Sequence, residues 1–184
     1  MLKDYKDSRD KLTVCLGNAD HLPIGVVPYK MFWGIPVYFR VIESNAMSVC
    51  VTERLRMDWN ISWDVIYADA LKADMRRGYR VRSLDAILGF PAVAPILVVT
   101  NNECQYGASA LLHDIVLQSV LTTIKKPYFI LPSSRHEILV YPDNGDFAAT
   151  ELRKMVSDVN LGFVEPQDII SDKVFYYDGV LKEA

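Results

Sequence analysis

The stretch YFILPSSRHEILVYPD, residues 128–143, holds two β-forming runs around a polar turn. YFIL and EILVY are short, rich in β-branched and aromatic residues, and bounded by Pro132 and by Pro142-Asp143. Such runs read as two strands next to one another in the chain. On both sides the apolar period lengthens from that of a strand to that of a helix. Upstream, Ala108, Leu111, Leu112, Ile115, Val116 and Val120 predict a long helix over 106–126. Downstream, Ala148, Leu152, Met155, Val156 and Val159 predict a second, with Asp146 as its cap and Asn160 and Gly162 as its stop. A buried-type strand at 96–100 precedes the first helix. A helical turn at 166–170 and a strand at 174–177 follow the second. The second half therefore reads β-α-β-β-α-β, an order compatible with a ferredoxin-like split βαβ sheet carrying both helices on one face.

The first half adds strands at 12–16, 24–29, 35–42 and 47–52, the last two joined as a hairpin by Ser44-Asn45-Ala46. Its clearest helix starts after Ser62 and follows the stripe Trp63, Ile66, Tyr67, Ala70, Leu71 and Met75 to a stop at Gly78. Residues 83–88 add a helical turn. The expected class is α+β, with a mixed or antiparallel sheet and its helices on one face. The chain reads as one domain over 1–184. A strand and helix part (1–90) meets the β-α-β-β-α-β part (91–184) in a loop near 89–95.

The 184 residues are 51% hydrophobic and 23% charged, which is ordinary for a globular chain able to bury a core. No apolar run approaches the ~18 residues of a membrane span. The start, MLKDYKDSRDK, has no apolar segment of the secretory kind, so the cytoplasm is the expected compartment. Cys15, Cys50 and Cys104 are odd in number and widely spaced, which argues against a disulfide framework or a zinc site. No metal and no cofactor is expected. Net charge is -3, but residues 1–90 carry 13 Lys/Arg against 11 Asp/Glu, and residues 91–184 carry 7 against 12. The two halves are suited to different partners.

Three clusters carry candidate chemistry. In the quoted turn, Ser133 or Ser134 is a candidate nucleophile, His136 its base and Glu137 the orienting acid. Against this, adjacent side chains on a strand diverge, and no GxSxG elbow is present. The structural alternative is a turn whose serines bond the local backbone, with His136 as an anchor. Asn101, Asn102, Tyr106 and Gly107 form a polar strand-to-helix junction without a nucleotide-binding glycine pattern. KADMRRGYRVR, residues 72–82, is strongly cationic. Lys72, Arg76 and Arg77 suit a helix C-terminus. Arg80 and Arg82 alternate beyond that helix and should share a face. Arg76, Arg77, Tyr79, Arg80 and Arg82 are the expected binding surface, for a protein, a nucleoprotein or a nucleic-acid strand. The aromatic run MFWGIPVYF, residues 31–39, adds a second candidate surface, for a partner or a homodimer.

Four segments, VVTNNECQYGASALL (98–112), YFILPSSRHEILVYPD (128–143), LRKMVSDVN (152–160) and IISDKVFYYD (169–178), resemble an uncharacterised bacterial family classed only as a domain of unknown function. Its pattern is LTNxxxxYGAxxLL, YILPSSxHE and a closing SDxVYxY. The resemblance covers residues 50–180 well and 1–50 weakly. Relative to the family, the chain reads as a shortened form lacking an N-terminal region. The family has no agreed chemistry, so it lends no catalytic residues. Its setting in gut anaerobes and on mobile elements implies an inhibitor of host defence, of the anti-CRISPR kind. The expectation is a non-enzymatic macromolecule-binding protein. The alternatives are a serine/histidine hydrolase and a structural subunit of a larger assembly.

Overall fold

The computed structural model describes residues 4–44, 47–92, 94–132 and 134–184. The fold is α+β, built on two antiparallel sheets. The smaller comprises β1 (Leu12–Leu16), β2 (Lys30–Phe32), β3 (Ile35–Ser44) and β4 (Met47–Cys50). β1 lies along one edge of β3, and β2 and β4 share the other. Strand alternation is plain. Leu12, Val14 and Leu16 of β1 and Ile35, Val37, Phe39 and Val41 of β3 enter the main core. Cys15 and Tyr38 turn to the opposite face. The β3–β4 hairpin forms with Ser44 opposite Met47, and the expected turn residues Asn45 and Ala46 lie outside the described residues.

Short α1 (Tyr5–Ser8) precedes β1, and α2 (Glu53–Trp59) and α3 (Trp63–Arg77) follow β4. α3 runs between the two signals that announce it. The Ser62 side chain accepts from the Val65 N–H, and Gly78 leaves the helix at φ 77°. α2 turns Leu55 and Trp59, four residues apart, onto the main core, and the Thr52 side chain accepts from the Leu55 N–H at its start. The strand expected at 24–29 does not form. Gly25 takes φ 77°, Pro28 offers no N–H, and Ile24 is fully exposed, so pairing with β3 begins only at Tyr29, whose N–H donates to the Val37 carbonyl at 2.8 Å, and β2 follows from Lys30.

The larger sheet has the order β10-β9-β7-β8-β6-β5. Its strands are β5 (Tyr79–Ser83), β6 (Leu97–Asn101), β7 (Tyr128–Leu131), β8 (Ile138–Pro142), β9 (Phe175–Tyr177) and β10 (Leu181–Glu183). α4 (Leu84–Leu88) follows β5, α5 (Asp114–Ile124) links β6 to β7, and α6 (Ala149–Phe163) links β8 to β9. The split βαβ is present, since β8 lies between β6 and β7 and antiparallel to both. The fourth strand of the motif, however, joins β7 rather than β6. The two crossovers therefore travel the same way across the sheet while starting on antiparallel strands. Two crossovers of one hand, the right hand being the rule, must then place their helices on opposite faces. That is the arrangement found. Val116, Leu117 and Val120 of α5 pack with Tyr128 and Ile130, while Leu152 and Val156 of α6 pack with Phe129 and Leu131. The expectation of helices on one face is corrected accordingly.

The long helix expected at 106–126 is two elements. Gly107–Leu112 is a 3-10 helix, buried through Leu111 and lodged against β1, β6 and β8. His113 is extended, and α5 begins at Asp114. A segment buried on all sides gives the periodic signal of a helix without fixing its pitch. Asp146 does not cap α6. It accepts from the Tyr141 hydroxyl at 3.1 Å, and Glu151 holds the Ala148 N–H at the helix start. Asn160 lies inside α6 rather than at its end.

Candidate functional site

The turn between β7 and β8 is stitched to three neighbours. The Ser134 Oγ accepts from the His136 N–H at 3.1 Å. The Arg135 N–H donates to the Asp168 carbonyl at 2.9 Å, and Ser134 bridges Ile169. The Arg135 carbonyl accepts from the Ala108 N–H, and the His136 carbonyl accepts from the Thr100 hydroxyl at 2.7 Å. Gly107 makes the closeness possible. A Cβ there would lie 2.3 Å from Thr100 Oγ1 and 2.6 Å from both the Asn101 nitrogen and the His136 carbonyl oxygen.

The imidazole of His136 is engaged on both sides. Its Nδ1 accepts from the Tyr106 N–H at 3.4 Å. Its Nε2 accepts from the Arg135 Nε–H at 3.3 Å and lies 3.6 Å from Asp168 Oδ2, while the Arg135 guanidinium pairs with Asp168 Oδ1 at 2.7 Å. The carboxylate at the ring is thus Asp168, from a segment read only as a helical turn. Glu137 diverges, as neighbours on a strand do, and lines a groove with Arg80 and Arg82. Ser133 lies outside the described residues.

A stack of cations and rings lies beside this loop. The guanidinium groups of Arg40 and Arg135 lie 5.4 and 5.5 Å from the Tyr106 ring centre. The Tyr106 hydroxyl pairs with Ser48 Oγ at 2.9 Å, and Arg40 donates to Ser48 Oγ and to Cys50 Sγ, both at 2.8 Å. Burial pushes the Cys50 thiol up against the pull of Arg40, and burial raises Cys15 well above its ordinary range. Both therefore hold their protons and are poor nucleophiles. Among the described residues no group of three or more His, Cys, Asp or Glu is placed to hold a metal ion. No helix among them is long and apolar enough to cross a membrane.

The cationic segment is divided by the fold. Arg77 is nearly buried, donating to the Leu12 carbonyl and to Asp74 Oδ1, both at 2.5 Å. Tyr79 points inward, with its hydroxyl 2.8 Å from Ser109 Oγ. Arg76 is exposed and pairs with Asp10 at 2.8 Å, and Lys72 sits 3.5 Å from Asp69. Arg80 and Arg82 leave β5 on the other face, opposite Thr100 and Val98 of β6. Arg80 contacts Cys104 Sγ, and Arg82 donates to the Ala86 carbonyl at 3.2 Å. Neither arginine is in an ion pair with a described carboxylate. They border a groove of about 370 Å³ that Leu84, Ile87, Leu139 and Glu137 complete.

This is also the face that α6 covers, but only in part. Between α6 and the 94–96 segment lies an apolar cleft of about 530 Å³, walled by Ile96, Leu131, Leu139, Leu152 and Val156. Met155 and Val159, counted as core in the stripe of α6, stand more than 40% exposed at its mouth. Leu139 forms part of both the cleft and the arginine groove. The half-exposure of that stripe has no signature in spacing alone.

A family model described as a family of unknown function (DUF5688) matches residues 1–179, so the match extends through the first fifty residues, where the resemblance had been weak. No curated protein and no solved structure matches the chain.

Proposed function

The chain belongs to the DUF5688 family, a family of unknown function, and on the geometry above we propose that it acts by binding an acidic macromolecular partner rather than by catalysis. The docking face is that of the larger sheet carrying Arg80 and Arg82. One observation carries the reading. The fold commits Arg77 and Tyr79 to internal bonds and leaves these two guanidinium groups on an open face without a carboxylate of their own. Unpaired guanidinium groups beside apolar wall residues suit a carboxylate- or phosphate-bearing surface. The loop at Ser134 and His136 supports the same conclusion from the other side, because its polar groups are engaged within the fold.

The test is capture from native lysate with three baits: wild type, R80E/R82E and R76E. A partner held by wild type and R76E, but lost by R80E/R82E and by rising salt, is the expected result. Equal capture by all three baits would remove the face from consideration.

A further inference from the structure

We infer that the cleft under α6 and the arginine groove beside it form one site for a small amphipathic carboxylate, its apolar body in the cleft and its head group on Arg80 and Arg82. The inference shares those arginines with the docking reading and goes beyond it in naming a ligand of its own.

The cleft has the size and lining of a small-molecule site. Its volume of about 530 Å³ lies in the range of ~300–1,000 Å³ typical of ligand pockets, which are mostly apolar with a few polar groups that fix orientation. Asp146 is the one carboxylate among the described residues of its wall, and one of its oxygens accepts from the Tyr141 hydroxyl. Most of the remaining wall is aliphatic or aromatic carbon, which suits an apolar body. The exposed Met155 and Val159 gain burial when it enters.

The polarity of the site is set at one end. Leu139 separates the cleft from the groove by a single side chain, and beyond it two guanidinium groups stand against one carboxylate, Glu137. The Nε of Arg80 is buried without an acceptor among the described residues, and its Nη2 contacts the Cys104 thiol, which lines the groove with it. An ammonium head group would meet net positive charge there, and an uncharged alcohol would leave the charge unanswered. A carboxylate fits the fork of a guanidinium with two parallel bonds.

The probe is decanoate, titrated calorimetrically below its micelle concentration, with decanol and decyltrimethylammonium as controls. Saturable binding of one decanoate per chain is expected, with the two controls weaker by at least about tenfold. R80Q/R82Q should weaken decanoate by a similar factor. Val159→Trp, at an exposed position on the rim of the cleft, should abolish binding while leaving the unfolding midpoint unchanged. No saturable decanoate binding, or full binding by V159W, overturns the site. The two readings fail separately. Lost decanoate binding with arginine-dependent capture leaves docking standing, and decanoate binding with arginine-independent capture leaves the ligand site alone.

Discussion

The carboxylate of Asp74, deep on α3, accepts the Thr13 hydroxyl at 2.8 Å across the seam with β1. Its other oxygen accepts from the Val14 N–H at 3.0 Å. Burial pushes this carboxyl up, while Arg77 and the two β1 donors pull it down. Asp74, the one acid in the cationic segment 72–82, is thus the rivet between helix and sheet. Asp74→Ala should cost about 3–5 kcal/mol, the usual effect of leaving one member of a buried pair without its partner. Thr13→Val should cost about 1 kcal/mol. Urea denaturation measures both, and a loss under about 1 kcal/mol for D74A would deny the seam its importance.

Gly107→Ala tests the closeness of the 3-10 segment to its neighbours. The added methyl would meet two backbone atoms and a buried hydroxyl at 2.3–2.6 Å, none of which is the free end of a flexible side chain. Overpacking of this kind costs about 1–3 kcal/mol or more. A melting temperature within a degree of wild type would show that the segment has room to shift.

His113, between the 3-10 segment and α5, should make stability fall in acid. Burial beside the Tyr79 ring lowers its pKa to about 4, and its Nε2 has no acceptor among the described residues. The unfolded chain binds a proton near pH 6.5, which the native state refuses until about pH 4. The contribution is therefore whole above pH 6.5 and declines as pH falls through that window, by on the order of 2 kcal/mol. His113→Leu should flatten this part of the urea midpoint against pH. Parallel curves for the two proteins would contradict the assignment.

Ser134→Ala should lower stability by about 1 kcal/mol through its bond to the His136 N–H. Hydrolysis of p-nitrophenyl acetate by wild type should equal that of S134A. A wild-type rate well above the variant's would restore the serine as a nucleophile.

What was legible in the sequence was local. Ser62 and Gly78 bracket α3 because a cap and a left-handed stop act within a few residues of themselves. Short β-branched and aromatic runs bounded by turn residues likewise placed β1, β3, β7 and β8. The partners of those elements were not legible, since strand order depends on contacts between distant segments. The sequence of elements is the same whether the last strand joins β6 or β7, yet that choice sends α6 to the opposite face. Asp168 reached His136 unannounced for the same reason, with thirty-one residues of chain between them. The arginines at 80 and 82 were legible as a pair sharing a face because a period of two survives outside a helix. Arg77 was misassigned to the surface because a terminal helix cation looks alike whether it meets water or a buried acid.

β5 is the outermost strand of its sheet, so no described strand pairs with one row of its backbone groups. Bare rims of this sort invite another chain to add a strand, which is how ribbons and fibres begin. With a guanidinium at alternate positions, two such rims brought together would set like charge against like. The residues that welcome an acid visitor also hold sibling molecules at arm's length, and trading them for valine would trade solubility for aggregation.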